Sequence, residues 1–330
     1  MLELRAAPKA LASHSSIMRI VVTGASGFVG TMLCRGLLAR GHAVRAVVRH
    51  ANRGGAIPSK TEEEIEIPDI AGEFDRRALF EGSDAVVHLA AVAHRPADEV
   101  TLRRINVDAT HRLAEAAAGR VRRFVFLSSV KVHGDDSGSG TYRESDTPQP
   151  EDAYGESKLE AERLLTRISA RSGMELVVLR PPLVYGPWVR ANFLRLLRWV
   201  NSGLPLPFAS IRNRRSLIYV GNLVDAIARC LEHPAASGPF LVSDEETVST
   251  PELVSRIARS LGRSERLFPA PPALLRLAGS LLGRSDEIRR LTGDLAVDTS
   301  KVRHRLGWRP PYLLDEGLSE TARWFRSMRS

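Results

Sequence analysis

The sequence predicts an α/β fold, a doubly wound parallel sheet followed by a smaller mixed α/β region at the C-terminal end. Three observations predict it. Short apolar, β-branched runs alternate with stretches whose apolar residues recur at helical spacing, from Arg19 onward. The run Ala85 to Ala91 is continuously apolar, as in strands covered on both faces. A glycine-rich turn, Thr23 to Gly30, sits between the first run and the first helical pattern. Alternation of this kind implies right-handed crossovers and a ligand site at the carboxyl edge of the sheet.

The first strand is Arg19 to Val22, and the first helix carries Val29, Leu33, Leu37 and Leu38 on one face. Between them Gly24, Gly27 and Gly30 allow a sharp turn and a close approach by a ligand. Together with Phe28 and Val29 they leave a helix N-terminus open to a diphosphate, so a dinucleotide is the expected guest and the fold is of Rossmann type. After Gly41-His42 a second strand runs from Ala43 to Val48. No acid follows it to hold the ribose hydroxyls of an adenosine; Arg49 and Arg53 stand there instead, which favours NADP(H) over NAD(H). A third strand, Ile65 to Ile67, leads to Asp69 and Ile70, expected over the adenine.

The next strand ends in Leu89-Ala90-Ala91, small residues beside which a cofactor ribose fits. His88 within it reads as a packed, hydrogen-bonded core histidine. A helix with Asn106, Val107 and Thr110 follows, then the strand Arg123 to Leu127, which delivers Ser128 and Ser129 to its carboxyl end. Tyr154 and Lys158 open the next helix one turn apart, with Ala161, Leu164, Leu165 and Ile168 behind them. An ammonium so close is expected to lower a tyrosine pKa from its usual value of about 10 toward neutrality.

From Leu183 the alternation loosens. A helix with Phe193, Leu196, Leu197 and Val200 is followed by Gly203-Leu204-Pro205-Leu206-Pro207, a run of breakers, and then by Arg212, Arg214 and Arg215. This divides the chain into a leader at 1–17, a dinucleotide-binding unit at 18–182 and a mainly substrate-binding region at 183–330. Short helices are expected over Glu252 to Leu261, Pro272 to Leu282 and Asp286 to Leu291. The stripe Leu274, Leu275, Ala278, Leu281 and Leu282 reads as a core helix more readily than as a membrane-surface one.

At 330 residues, 43% hydrophobic and with no long apolar run, the composition is that of a soluble globular protein without a membrane span. Two cysteines, Cys34 and Cys230, lack metal-ligand spacing and suit a reduced cytoplasmic protein. The net charge of +9 is spread among scattered arginines with only 6% aromatics, which argues for anionic small molecules rather than nucleic acid. Met1 to Ile17 lacks the apolar centre of a signal peptide, and Met18 directly precedes the first strand.

Taken in order, the glycine turn, His88-Leu89-Ala90-Ala91, Asn106, Ser128-Ser129 with Gly134, Tyr154 with Lys158, Leu179 to Pro187, and Arg215 resemble the extended short-chain dehydrogenase/reductase family. The likeness is to its nucleotide-sugar epimerase, dehydratase and ketoreductase branch, and it covers Met18 to about Trp308. The resemblance implies that Tyr154 is the acid/base at a sugar oxygen and that Ser129 hydrogen-bonds the same oxygen. It also implies that Lys158 tunes Tyr154 and holds the nicotinamide ribose, that Asn106 supports the proton network and that Pro181 borders the cofactor. Asn192 and Phe193 would lie near the phosphate or uracil, Arg215 and Arg290 at the diphosphate, and Lys131 within reach of the sugar or a phosphate oxygen.

Members that dehydrate sugars carry an Asp-Glu pair where this chain has Val130 and Lys131, so dehydration is not expected. Epimerases of the UDP-galactose type retain NAD and carry an acid after the second strand, which is absent here. The expected activity is therefore NADP(H)-dependent reduction of a UDP-4-keto-6-deoxy-N-acetylhexosamine for surface polysaccharide, by a homodimer packed through the helices of Asn106 and Tyr154. The alternatives are a UDP-hexose or UDP-N-acetylhexosamine 4-epimerase with retained NAD, and a non-catalytic dinucleotide sensor.

Overall fold

A computed structural model describes residues 17–50, 57–58, 60–93, 97–281, 283 and 285–328. Seven strands form one parallel sheet in the order β3-β2-β1-β4-β5-β6-β9: β1 (Arg19–Thr23), β2 (Ala43–Val48), β3 (Glu63–Glu66), β4 (Ala85–His88), β5 (Arg123–Leu127), β6 (Glu175–Arg180) and β9 (Gly238–Leu241). The order turns back beside β1, so the carboxyl ends of β1 and β4 open a crevice there. A second sheet joins β7 (Leu183–Tyr185), β8 (Arg215–Tyr219) and β10 (Thr247–Val248).

The strands stay buried because both faces of the sheet are covered. On one face α1 (Phe28–Ala39) packs with α6 (Val220–Glu232), and Ile20, Val22, Leu33, Leu37, Leu223 and Ile227 share one core. On the other face α3 (Ala109–Ala117) and α4 (Ala153–Ser172) cover Val21, Val86, Phe124 and Phe126. The remaining helices, α5 (Ala191–Ser202), α7 (Thr250–Leu261), α8 (Pro272–Leu281), α9 (Ser285–Thr292), α10 (Ser300–Leu306) and α11 (Leu314–Ser327), belong to the C-terminal half. Among the described residues no helix is long and apolar enough to cross a membrane.

Two features depart from the sequence reading. The division at 182 is not a clean one, because β9 returns from beyond it to extend the first sheet on β6. Arg123 ties the same two parts together. It is fully buried, its Nη2 lies 2.6 Å from Glu175, and its Nη1 donates to the carbonyls of Cys230, Leu231 and His233 at 2.5, 2.8 and 3.0 Å. A cation placed at the carboxyl end of α6 meets carbonyls that no further turn of helix can satisfy. The stripe on α8 also differs: Leu275 is buried, while Leu274 and Leu281 face solvent. Helical spacing defines a stripe without saying what it faces.

Candidate active site

The glycine turn has the geometry expected of it. Gly24 has φ +68°, and a Cβ there would stand 2.9 Å from the backbone nitrogen of Ala90, so the segment after β4 closes directly on the turn. A Cβ on Gly30 would lie 2.2 Å from the carbonyl oxygen of Gly24. Gly27 begins α1 without a capping side chain, no acid occupies the first turn, and Phe28 and Val29 are half-buried. The free N–H groups and positive helix end are therefore available to a diphosphate, and Leu89, Ala90 and Ala91 form the facing wall. The residues present fit a dinucleotide.

At the far end of that crevice Arg49 is exposed and close enough to Asp69 to favour its ionised form. Asp69 accepts from Arg104 Nη1 at 2.7 Å and from the nitrogen of Ala71 at 3.0 Å, and Ile70 packs into the core beneath. Arg53 lies outside the described residues.

His88 is held as a neutral ring, and the hydrogen bonds assign its tautomer. The Thr110 hydroxyl donates its proton to the carbonyl of Asn106 at 2.8 Å, so it must accept from His88 Nε2 at 2.9 Å. His88 Nδ1 is then the acceptor for the Thr23 hydroxyl at 2.7 Å. Burial lowers the His88 pKa to about 3, with the charge of Lys158 adding to the effect. Unfolding raises it to the ordinary 6.5, so the unfolded chain binds a proton that the fold refuses. Stability should therefore be complete above pH 6.5 and fall as the pH drops toward 3. His133, lowered to about 4 by burial and Arg180, contributes in the same window. Chemical unfolding followed between pH 4 and 8 checks this; a flat profile would show both rings free to ionise in the native state.

Asn106 is in a π-helical stretch, Arg103–Asp108, lying between α2 (Glu99–Leu102) and α3. Its amide accepts from the nitrogen of Val92 at 2.8 Å and donates to Ser157 Oγ at 3.0 Å. Ser157 in turn donates to the carbonyl of Tyr154 at 2.7 Å. Asn106 thus fixes the segment after β4 to the first turn of α4. Its side-chain contacts are to the backbone of Val92 and to Ser157.

Ser129 lies two residues beyond β5 and caps a short turn, Val130–Val132, by accepting from the nitrogen of Lys131 at 3.2 Å. Its hydroxyl is near enough to the Tyr154 phenol to favour the phenolate. The expected lowering of the Tyr154 pKa is not what these surroundings produce. Burial pushes the phenol well above 10 and the nearby Asp152 carboxylate adds to this, while the Ser129 hydroxyl opposes both. Desolvation wins because a phenolate would have to form in a dry site beside a carboxylate. Lys158 is buried with Nζ 4.3 Å from the centre of the Phe126 ring. Burial lowers its pKa to about 7, against the charge of Glu162, which raises it. At neutral pH Tyr154 holds its proton and Lys158 can exchange one.

Beneath this pair lies a buried network that the sequence reading missed. Ser128 Oγ donates to Glu162, Arg180 Nε and Nη2 reach the Glu162 oxygens at 3.1 and 2.5 Å, and Arg180 Nη1 donates to His133 Nε2 at 3.0 Å. Pro181, the next residue, accepts from the nitrogen of Val130 at 2.9 Å and so fixes the turn after Ser129. The signal for Glu162 was present: it stands one helical turn beyond Lys158, on the face that Ala161 and Leu165 bury.

The expected substrate residues divide. Arg215 is half-buried, donates to the carbonyl of Gly293 at 3.3 Å, and lies close enough to Arg290 for that charge to act on it. The Nε of Arg290 is buried without a hydrogen-bond partner. Two guanidinium groups brought together in this way suit a diphosphate. Lys131, by contrast, is held by Asp152 and, at 3.0 Å, by Asp135, so its ammonium is already paired. Phe193 is buried in the core and stacks on Tyr185 with ring centres 5.3 Å apart, which removes it from any ligand. Asn192 is half-buried and accepts from Arg195 at 3.0 Å. Just before it, Trp188 in the loop and Ala191 at the start of α5 have φ of 67° and 53°, two strained positions beyond β7. Among the described residues no cluster of metal-binding side chains occurs.

Residues 20–242 match the model of the NAD dependent epimerase/dehydratase family. The chain belongs to that family. Within it, a UDP-glucose 4-epimerase of Vibrio cholerae is 43% identical over 317 residues, covering 93% of this chain and 95% of that one. The structure of MoeE5 in complex with UDP-glucose and NAD is 29% identical with a TM-score of 0.76, over 94% of this chain and all of the other. A UDP-glucose 4-epimerase of Thermotoga maritima shares the fold with a TM-score of 0.78 at 22% identity, over 95% of this chain and all of the other. The epimerase/dehydratase fold of this chain thus agrees with the parallel sheet and crevice described above.

Proposed function

We propose that this family member is an NAD-dependent 4-epimerase of a UDP-linked hexose or N-acetylhexosamine. One observation carries the reading: the 43% identity, over nearly the whole length of both chains, to a protein named as a UDP-glucose 4-epimerase. It replaces the 4-ketoreductase expected from the sequence, and NAD(H) replaces NADP(H), in line with the NAD held by MoeE5. The diphosphate of the nucleotide sugar would be gripped by Arg215 and Arg290, with Asn192 at the rim.

In this mechanism Lys158, neutral in part at pH 7, takes the phenol proton, so that Tyr154 as phenolate takes the proton of the sugar 4-hydroxyl and later returns it, with Ser129 hydrogen-bonded to the same oxygen. A bound NAD would supply the hydride acceptor and donor for C4. Lys158, whose burial brings Nζ near neutrality, relays protons to the phenol and stands where it can hold a ribose hydroxyl. Asn106 and Ser157 keep α4 in register with the cofactor wall. Between the two hydride steps the keto sugar turns over, which a site gripping chiefly its diphosphate permits.

The experiment is to denature the purified protein, identify the released dinucleotide by mass spectrometry, and follow interconversion of UDP-glucose and UDP-galactose, then of their N-acetyl counterparts. Retained NAD with interconversion supports the reading. A protein that emerges empty, prefers NADPH and reduces UDP-4-keto-6-deoxy-N-acetylhexosamine overturns it and reinstates the reductase. Arg49→Ala gives an independent check. NAD has no 2′-phosphate for the exposed Arg49 to hold, so its affinity should change by no more than about twofold, the effect of a neutral surface change. A large loss confined to NADP would restore that cofactor.

The protein is further proposed to be a homodimer packed through the helical segments that contain Asn106 and Tyr154, and cytoplasmic, in keeping with the free, buried thiols of Cys34 and Cys230. Light scattering at micromolar concentration tests the dimer, and a monomer there would exclude it.

A further inference from the structure

Helix α8 turns an apolar edge toward solvent. Leu275 reaches the core, but Leu274, Leu277 and Leu281 are 58%, 57% and 79% exposed. Their spacing of three and four residues puts them on one side of the helix. Just before α8, Phe268 is also exposed, and backbone bonds lay its strand beside that of Leu204: Leu206 accepts from and donates to this segment at 3.0 and 2.8 Å. Five of the ten exposed large apolar residues described in the chain therefore fall in this one end of the molecule.

The charge there is one-sided. Residues 191–208 and 259–281, joined by the pairing of Leu206 with Arg266 and Phe268, contain six arginines and a single acid, Glu265. Arg263 and Arg266 are exposed and held beside Leu204, through Arg263 Nε to Asn201 Oδ1 at 3.3 Å and Arg266 Nη1 to the carbonyl of Gly203 at 3.2 Å. Arg195 and Arg198 extend the same sign along the outer face of α5.

An apolar helix edge flanked by arginines matches a surface with hydrocarbon just beneath anionic phosphates. Nucleic acid supplies the phosphates but gives three leucines nothing to bury against. A second copy of the same face would set arginine against arginine. The geometry points to docking of this end on an anionic lipid bilayer, in which the leucines of α8 enter the headgroup boundary and the chain does not span it. The basic balance of the sequence, read first as a preference for anionic small molecules, is then explained in part by a lipid surface.

The test is co-sedimentation of the full chain with phosphatidylcholine vesicles, with and without phosphatidylglycerol. Its readout does not involve turnover, so it stands or falls separately from the epimerase assignment. The wild type is expected to bind the anionic vesicles and to release as salt is raised. Arg263→Gln with Arg266→Gln should weaken binding by about fivefold per charge removed. Leu274→Ser, Leu277→Ser and Leu281→Ser together should abolish it while leaving the melting temperature unchanged, because those side chains are exposed. Absence of binding by the wild type, or binding indifferent to the leucine changes, overturns the proposal. So does a light-scattering result in which the wild type self-associates and the serine variant does not, since a second copy would then cover the face.

Discussion

Tyr154→Phe is expected to lower turnover of the nucleotide sugar by about 10² to 10⁴, the range for losing a general acid or base. The change removes one oxygen from a half-buried ring and leaves the packing of α4 as it is. Asp152 still caps the helix through the nitrogen of Gly155 at 2.8 Å, and Ser157 still holds the Tyr154 carbonyl. Circular dichroism, melting temperature and dinucleotide content should therefore match the wild type while kcat collapses. Under the proposed mechanism, what is lost is the group that carries the proton at the sugar oxygen; Lys158 lies over Phe126. Near-normal turnover in the variant would remove Tyr154 from the mechanism.

Arg180→Met should have the largest effect on stability, about 3 to 5 kcal/mol, the cost of leaving a buried charge without its partner. The Glu162 carboxylate would keep only the Ser128 hydroxyl, in a position where water does not reach. Replacing both members, Glu162→Leu with Arg180→Met, should cost much less, because two desolvated charges are exchanged for apolar contacts. Chemical unfolding of the two variants makes the comparison. A single variant no less stable than the double one would mean that Glu162 is protonated or solvated in the native state.

The elements nearest the cofactor were legible because local chemistry defines them. The limits of β2 and the glycine turn follow from β-branched runs and from a backbone that approaches Ala90 too closely for any side chain. Tyr154 and Lys158 were legible as a pair one helical turn apart. Their electrostatics were not, because the balance depends on how far the fold withdraws both groups from water and on Ser129, which it brings in from beyond β5. Lys131 was expected within reach of the sugar or a phosphate oxygen; its pairing with Asp152 was not legible because that carboxylate reaches it only after β5 and α4 are placed. Phe193 was misread for a similar reason: its partner Tyr185 lies across a loop, and an apolar residue in a helix does not announce which neighbour claims it. The leucines of α8 had the spacing of a core helix, and only the three-dimensional structure shows which side is outside.

The anchoring of Arg123 bears on how the chain acquires its shape. The cation belongs to the fifth strand, yet its carbonyl partners emerge from the ribosome more than a hundred residues later. Until α6 is made, a nascent N-terminal half would hold a desolvated guanidinium with Glu175 alone for company. The cofactor half therefore cannot settle before its distal helix arrives, and cutting the gene near codon 182 should yield an insoluble fragment rather than a minimal dinucleotide binder. Supplying residues 183–330 as a separate polypeptide during synthesis should restore it.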